Sequence, residues 1–194
     1  MKDIIAKTRT FRKFRPSANI TRETLENLID LGRLGGSARN CQPWQYLIVT
    51  AQHDCEAIFP YLAWAGYLSD WKGPDIGERP SAYILCYLNT QWLKGSQQEA
   101  HFDLGIATQN MLLGATSLGL SGCRIGAFNP NLAKLFPQPE HLELHLVLAL
   151  GAPGEEVVVE ECEDGEIKYW RDSDGIHHVP KRALADLLLK NEDE

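Results

Sequence analysis

A single α+β or α/β domain with helices covering a sheet is the fold class this sequence predicts, on three observations. Helical periodicity at residues 21–34 and 103–118 alternates with short apolar runs at 46–50, 82–88, 123–128 and 144–150. That alternation is the pattern of helices laid over buried strands. The 194 residues are 44% apolar and 23% charged, the ordinary mix of one globular domain. A chain of this length buries roughly 70% of its unfolded surface, so it needs neither disulfide nor metal staples. No internal repeat or low-complexity tract divides residues 1–194.

In chain order, Thr21 reads as a helix N-cap with Glu23 in the first turn. Leu25, Leu28, Ile29, Leu31 and Leu34 then form an apolar helical face, ended by Gly35-Gly36. Tyr46 to Thr50 reads as a buried strand, and Ala82 to Leu88 as another. Between them, Trp64, Tyr67 and Trp71 precede Gly73-Pro74 and Pro80, which predicts a short helix and an exposed loop rather than core. Asp103 to Leu118 is the clearest helix. It is apolar enough to be buried on most sides, with Asp103 as its cap and Gly119 as its C′ residue. Cys123 to Phe128 and Leu144 to Leu150 are further strands, the second closed by Gly151-Ala152-Pro153. Glu155 to Asp174 holds nine acids and two bases and reads as a solvated arm. Tyr169-Trp170 and Ile176 to Val179 lead into a last amphipathic helix near Lys181, so 155–194 form a C-terminal arm and helix.

The net charge of −7 argues against nucleic acid, which needs a basic face. The average hides an asymmetry: residues 1–15 hold six bases and one acid, a local +5 that leaves −12 on the rest. The five cysteines (41, 55, 86, 123 and 162) contain no C-x-x-C pair. Neither a zinc site nor a disulfide framework is expected. Residues 1–5 lack an apolar h-region and no apolar run can span a bilayer. The reading is cytoplasmic, with reduced thiols and no membrane partner.

Four segments could carry chemistry. Arg9-Thr10-Phe11-Arg12-Lys13-Phe14 pairs guanidinium forks with a hydroxyl, which suits a phosphate or an anionic ring edge. In an extended chain Thr10, Arg12 and Phe14 part from Arg9, Phe11 and Lys13. The alternative is a solvated basic tail. Gly35-Gly36-Ser37-Ala38-Arg39-Asn40-Cys41-Gln42-Pro43-Trp44 is either a ligand-approaching loop or a helix cap leading into a strand. Gly119 to Phe128 has the spacing of neither G-x-G-x-x-G nor a P-loop. Gly126 beside Ala127 could let main-chain N–H groups reach a planar ligand, or could simply pack a turn. His177-His178-Val179-Pro180-Lys181-Arg182 places two cations at an expected helix start, an anion site or a surface turn; its adjacent histidines face opposite sides of a strand, against a metal site.

No G-x-S-x-G elbow exists. Cys41 and Cys123 are possible thiol nucleophiles, and His101 with Asp103 a possible acid–base pair. Burial of the thiols and capping by Asp103 are the competing readings. The scan yields no acid–base machine.

In order, these segments resemble the flavin-dependent nitroreductase family. Arg9-Thr10-x-Arg12-x-Phe14 is similar to its R-[ST]-x-R-x-F motif, and Ser37-Ala38-x-Asn40-x-Gln42-Pro43-Trp44 to its S-x-x-N-x-Q-P-W segment. Asp103-x-Gly105-x-Ala107-x-Gln109-Asn110 resembles the long central helix, Ile125-Gly126-Ala127-Phe128 the flavin N5 loop, and Pro180-Lys181-Arg182 the basic pair near the C-terminus. Thr8 stands where many members carry a second arginine, and Gly126-Ala127 where many carry Glu-Gly.

The resemblance implies a mixed, mainly antiparallel sheet covered by helices, in a domain-interlocked homodimer with flavin mononucleotide (FMN) in two shared sites. It places Arg9, Thr10 and Arg12 on the phosphate, ribityl chain and ring edge, with Lys181 and Arg182 at the phosphate. Ser37, Ala38 and Arg39 approach from the other subunit, while Ile125 and the Gly126 N–H face N5. Residues 51–81 become a variable lid over the flavin. The implied activity takes electrons from NADH or NADPH and passes them to nitroaromatics, quinones or similar acceptors. It needs no catalytic side chain, because the cofactor carries the hydride. A reductive dehalogenase on the same fold and a flavin-storing or sensing protein are the alternatives.

Overall fold

Residues 1–16 and 20–189 are described by the computed structural model. A short helix, α1 (Lys2–Lys7), precedes β1 (Phe14–Arg15), α2 (Arg22–Arg33), β2 (Trp44–Val49), α3 (Gln52–Ile58) and β3 (Ala82–Asn89). Then come α4 (Gln97–Ser117), β4 (Ser121–Ile125), β5 (Leu142–Pro153), β6 (Val157–Glu161), β7 (Trp170–Arg171), β8 (His177–Lys181) and α5 (Leu184–Leu187). The main sheet is antiparallel, ordered β1-β5-β3-β2, with β4 pairing β5 as well. A second sheet, β6-β8-β7, joins β6 and β8 in parallel and β7 to β8 antiparallel. The expected α+β class, with a mainly antiparallel sheet under helices, is what the chain adopts.

All eight residues of β3 are buried, and strand alternation sends them into two cores. Ala82, Ile84, Cys86 and Leu88 join Leu25 and Leu28 of α2 and Leu104, Met111 and Leu112 of α4. Tyr83, Leu85 and Tyr87 join Phe14, Ile58, Trp64, Ile125 and Val147 on the other face. Side chains as fully buried as Leu25, Leu28 and Met111 each contribute roughly 1.5–3 kcal/mol. Helices α2 and α4 pack closely because Gly32 leaves room for Met111.

Helix α2 starts as expected, with the Thr21 hydroxyl accepting the Thr24 N–H. Several other expectations change. Leu31 and Leu34 are exposed, as are Phe102, Ile106 and Leu118 along α4. Helix α4 begins six residues before Asp103, at a capping box in which Ser96 and Glu99 exchange side chain-to-backbone hydrogen bonds. The 51–81 stretch does contain a helix, but Cys55, Ile58, Leu62 and Trp64 belong to the second core rather than to an exposed loop. The acidic arm is not simply solvated, since it builds the second sheet. The last helix is a single turn, Leu184–Leu187, and Lys181 ends β8, so Lys181-Arg182 do not cap a helix. No helix among the described residues is long and apolar enough to cross a membrane.

Candidate functional site

The basic N-terminal segment is ordered rather than a solvated tail. Helix α1 runs into Thr8, whose hydroxyl meets Ile4 O at 2.7 Å and Thr116 Oγ1 at 3.0 Å. Thr10 bridges Gly122 beside β4, and Phe14 packs so closely on Gly151 and Gly154 that no side chain fits at either glycine. Between these anchors the backbone N–H groups of Arg12 and Lys13 both donate to Glu155 Oε1. The Glu155 side chain is only 2% exposed, and its other oxygen accepts from Arg171 at 2.7 Å. One buried acid in the acidic arm therefore fixes the backbone of the basic motif.

This arrangement opens a cavity of about 310 Å³ lined by Thr8, Arg9, Thr10, Arg12, Gln109, Leu112, Arg124, Tyr169, His177, Val179 and Lys181. Four of these are cations and none is acidic among the described residues. Arg9 and Arg12 reach the same cavity although strict alternation separates them, because residues 10–13 are not regular strand. Arg12 lies 4.7 Å from the centre of the Tyr169 ring and donates to His177 Nε2 at 3.2 Å. A guanidinium has no lone pair to offer, so the His177 proton sits on Nδ1. Burial pushes the His177 pKa down to about 4, which keeps the ring neutral. Its Nδ1 and the Arg9 Nε are buried with no partner among the described residues. A surplus of buried donors in a cationic, acid-free cavity suits a phosphorylated anion.

The sequence reading missed Gln109, Arg124, Tyr169 and His177 as lining residues. Period-two alternation along β8 does place His177, Val179 and Lys181 on one face. Arg182, expected at the phosphate, is not among the lining residues; its guanidinium lies near Gly165.

Ser37, Ala38 and Arg39 lie elsewhere. They form a turn after α2, beside a second cavity of about 230 Å³ lined by Gly35, Gly36, Ser37, Gln42, Trp44, Trp92 and Asp103 among others. Asp103 is neither a helix cap nor the partner of His101. It sits buried in mid-helix, where Oδ2 accepts from Ser37 Oγ at 2.8 Å and Oδ1 from Ala38 N at 3.0 Å. His101 instead meets His145 at 3.0 Å. A bulge in β5, where Cys86 pairs with Leu146 and Tyr87 with Leu144, leaves His145 as the extra residue, and bulges of this kind re-aim side chains. Arg39 pairs with Glu99 at 2.7 Å, and that hydrogen bond holds the Glu99 carboxyl down at about 2. Helix α4 is thus the rod between the two cavities. Asp103 serves one and Gln109 the other, about 9 Å apart along the axis.

Ile125 is buried in the second core, and Gly126 is exposed just beyond β4. Ala127 O accepts from Ala63 N at 2.9 Å, tying this loop to the 51–81 stretch. Of its aromatics, Trp64 packs internally against Phe59. Trp71 lies 4.2 Å beneath Arg171, and Tyr67 packs on Tyr169 with ring centres 4.9 Å apart. Burial raises the Cys123 thiol to about 11, so it stays protonated and is no nucleophile at neutral pH.

The domain is thus a mixed α+β fold with a preformed cationic cavity and a separate, tightly gripped loop. The chain belongs to the nitroreductase family, whose profile matches residues 5–154. A Methanothermobacter thermautotrophicus protein, named provisionally as an NADH dehydrogenase/NAD(P)H nitroreductase, is 28% identical over 162 residues, covering 79% of this chain and 77% of its own. Among solved structures, a provisionally named nitroreductase from Desulfovibrio desulfuricans in complex with FMN superposes with a TM-score of 0.70 at 22% identity, covering 98% of this chain and 95% of that one. A provisionally named NADH oxidase from Clostridium acetobutylicum gives 0.67 at 19% identity, covering 96% and 98%. At these identities the structural likenesses establish the fold.

Proposed function

We propose that the protein is an FMN-dependent NAD(P)H oxidoreductase reducing nitroaromatics, quinones or similar electron-poor acceptors with ping-pong kinetics, as a cytoplasmic homodimer. One observation carries this reading: Arg9, Arg12, Arg124 and Lys181 converge with Thr10 and Gln109 on a single acid-free cavity. The residues present fit FMN. The guanidinium forks and Lys181 suit its phosphate, while the unpartnered Arg9 Nε and His177 Nδ1 are donors that an anionic ligand satisfies. When bound, the flavin supplies the two-electron chemistry.

The chain's own residues bind, orient and tune. The cations stabilise negative charge in the cavity, and Glu155 holds the backbone that presents Arg12. Gly126 offers a main-chain N–H at an exposed position. Within one chain, Ser37 lines a different cavity from Arg9 and Lys181, and Ala38 and Arg39 follow it in the same turn. That separation supports a site completed by a second copy, as do the exposed Leu31, Leu34, Phe102, Ile106 and Leu118.

The test is the absorption spectrum of the purified protein, then stopped-flow mixing with NADH and with NADPH. A yellow protein bleached by either donor is expected. A flavin that stays oxidised with both removes the oxidoreductase reading and leaves storage or sensing. A colourless protein that takes up no added FMN removes the flavin altogether.

A further inference from the structure

We propose that Asp103 is the positioning residue that holds residues 37–42 in a strained, ligand-facing conformation; the ligand's identity as FMN rests on the function proposed above. Three residues in this short loop have left-handed backbones without being glycine: Arg39 at φ 56°, Asn40 at 53° and Gln42 at 50°. L-residues disfavour this region, and such outliers persist only where surrounding structure over-determines them. Here the surrounding structure is one face of α4. The Glu99 carboxylate pairs with Arg39, Ala100 O accepts from Trp44 Nε1 at 2.7 Å, and Asp103 accepts from both Ser37 Oγ and Ala38 N. Ser37 Oγ also accepts the Gln42 N–H at 2.9 Å. A single chain of hydrogen bonds thus runs from Asp103 through Ser37 to the far end of the loop and closes it into a ring.

Asp103 differs from the other two grips in being a buried carboxylate, where Glu99 is partly exposed and Ala100 offers only a main-chain carbonyl. No lysine, arginine or histidine pairs with it among the described residues. An isolated buried carboxylate is costly, so packing alone gives no reason for it. Its two acceptor oxygens match the two loop donors. The adjoining cavity is lined by Ser37, Gln42 and Asp103 together, so the loop's conformation shapes the surface a ligand meets.

The experiment measures FMN affinity by fluorescence quenching, amide exchange of residues 37–42 in the ligand-free protein, and Tm. It compares wild type, Asp103→Ala, Asp103→Asn and a core control, Leu132→Ala. Asp103→Ala should speed exchange in 37–42 selectively and raise the FMN Kd about tenfold or more, the scale of a lost charged hydrogen bond. Asp103→Asn keeps an acceptor for Ala38 N and should fall between Ala and wild type. Leu132→Ala should lower Tm without changing Kd or loop exchange. Wild-type affinity in Asp103→Ala, or unaltered exchange in the loop, overturns the proposal. If Asp103→Ala does not fold, Asp103→Asn decides by the same two readouts. If wild type binds no FMN, the proposed function fails, and the exchange arm still decides whether Asp103 holds the loop.

Discussion

The cationic cavity and the 37–42 loop, both assigned to ligand binding by the proposed function, are held by opposite means. In the cavity, cations project from several separate elements, and a buried carboxylate, Glu155, grips the backbone beneath them. Four cations line the cavity with no acid among its lining residues, the buried Glu155 lying beneath the Arg12 backbone, so an anion entering the cavity is favoured. In the loop the charges are neutralised locally, as with Arg39 on Glu99, and the stored cost lies in backbone torsion instead. Two kinds of preorganisation, one of charge and one of dihedral angle, therefore meet on one helix. Ligand binding should respond to salt and pH on the cavity side, and to hydrogen-bond deletion on the loop side.

The largest effect expected on this comparison comes from Glu155→Ala. Breaking its pair with Arg171, which is 14% exposed against 2% for Glu155, and freeing two backbone N–H groups should cost about 3 kcal/mol of stability. Urea unfolding measures it, and a loss under 1 kcal/mol would show that the arm does not hold the clamp. Next, Arg12→Ala should weaken FMN binding by about 1.5–3 kcal/mol, read by fluorescence titration. Unchanged affinity would mean that Arg12 serves only its contacts with Tyr169 and His177.

Neighbouring histidines on β8 give a third test with opposite signs. His178 is gripped by Asp172 at 3.2 Å and Glu160 at 3.1 Å, first Asp172 and then Glu160 raising its pKa. Its stabilisation is complete below the unfolded value of about 6.5 and is lost as pH rises through the raised native value. His177 is held down at about 4 by burial, so the unfolded chain binds more protons between about pH 4 and 6.5 and stability falls as pH drops through that window. His178→Gln should flatten the Tm profile on the alkaline side and His177→Gln on the acid side; identical profiles would contradict both assignments. Smallest of all, Ser96→Ala should remove about 1 kcal/mol through the lost capping box of α4, visible as a modest drop in Tm.

Several parts of this architecture were legible in the residues alone. The apolar runs marked β2 to β5, because a strand buried on both faces leaves few polar positions; in β3 the one amide, Asn89, stands at its end. Arg9, Thr10, Arg12 and Lys181 were readable as one group only through resemblance, since nothing local links residue 12 to residue 181. Ser96-x-x-Glu99 is a visible capping box that a more apolar stretch downstream overshadowed, which shortened the expected helix and turned Asp103 into a cap. Glu155 was hidden by company: among nine acids of the arm, composition cannot distinguish the one that is buried. Arg39 and Gln42 carry no sequence signal for their left-handed backbones, because arginine and glutamine adopt that conformation only when a fold compels them, whereas Asn40 is a residue type that visits it more readily.

The grip of Glu155 on Arg12 and Lys13 spans more than 140 residues of chain. Loop closure of that length is slow and costly, and during synthesis the basic motif leaves the ribosome long before the acid that steadies it. The hydrogen bonds that fix the Arg12 backbone can therefore form only after most of the chain has been synthesised.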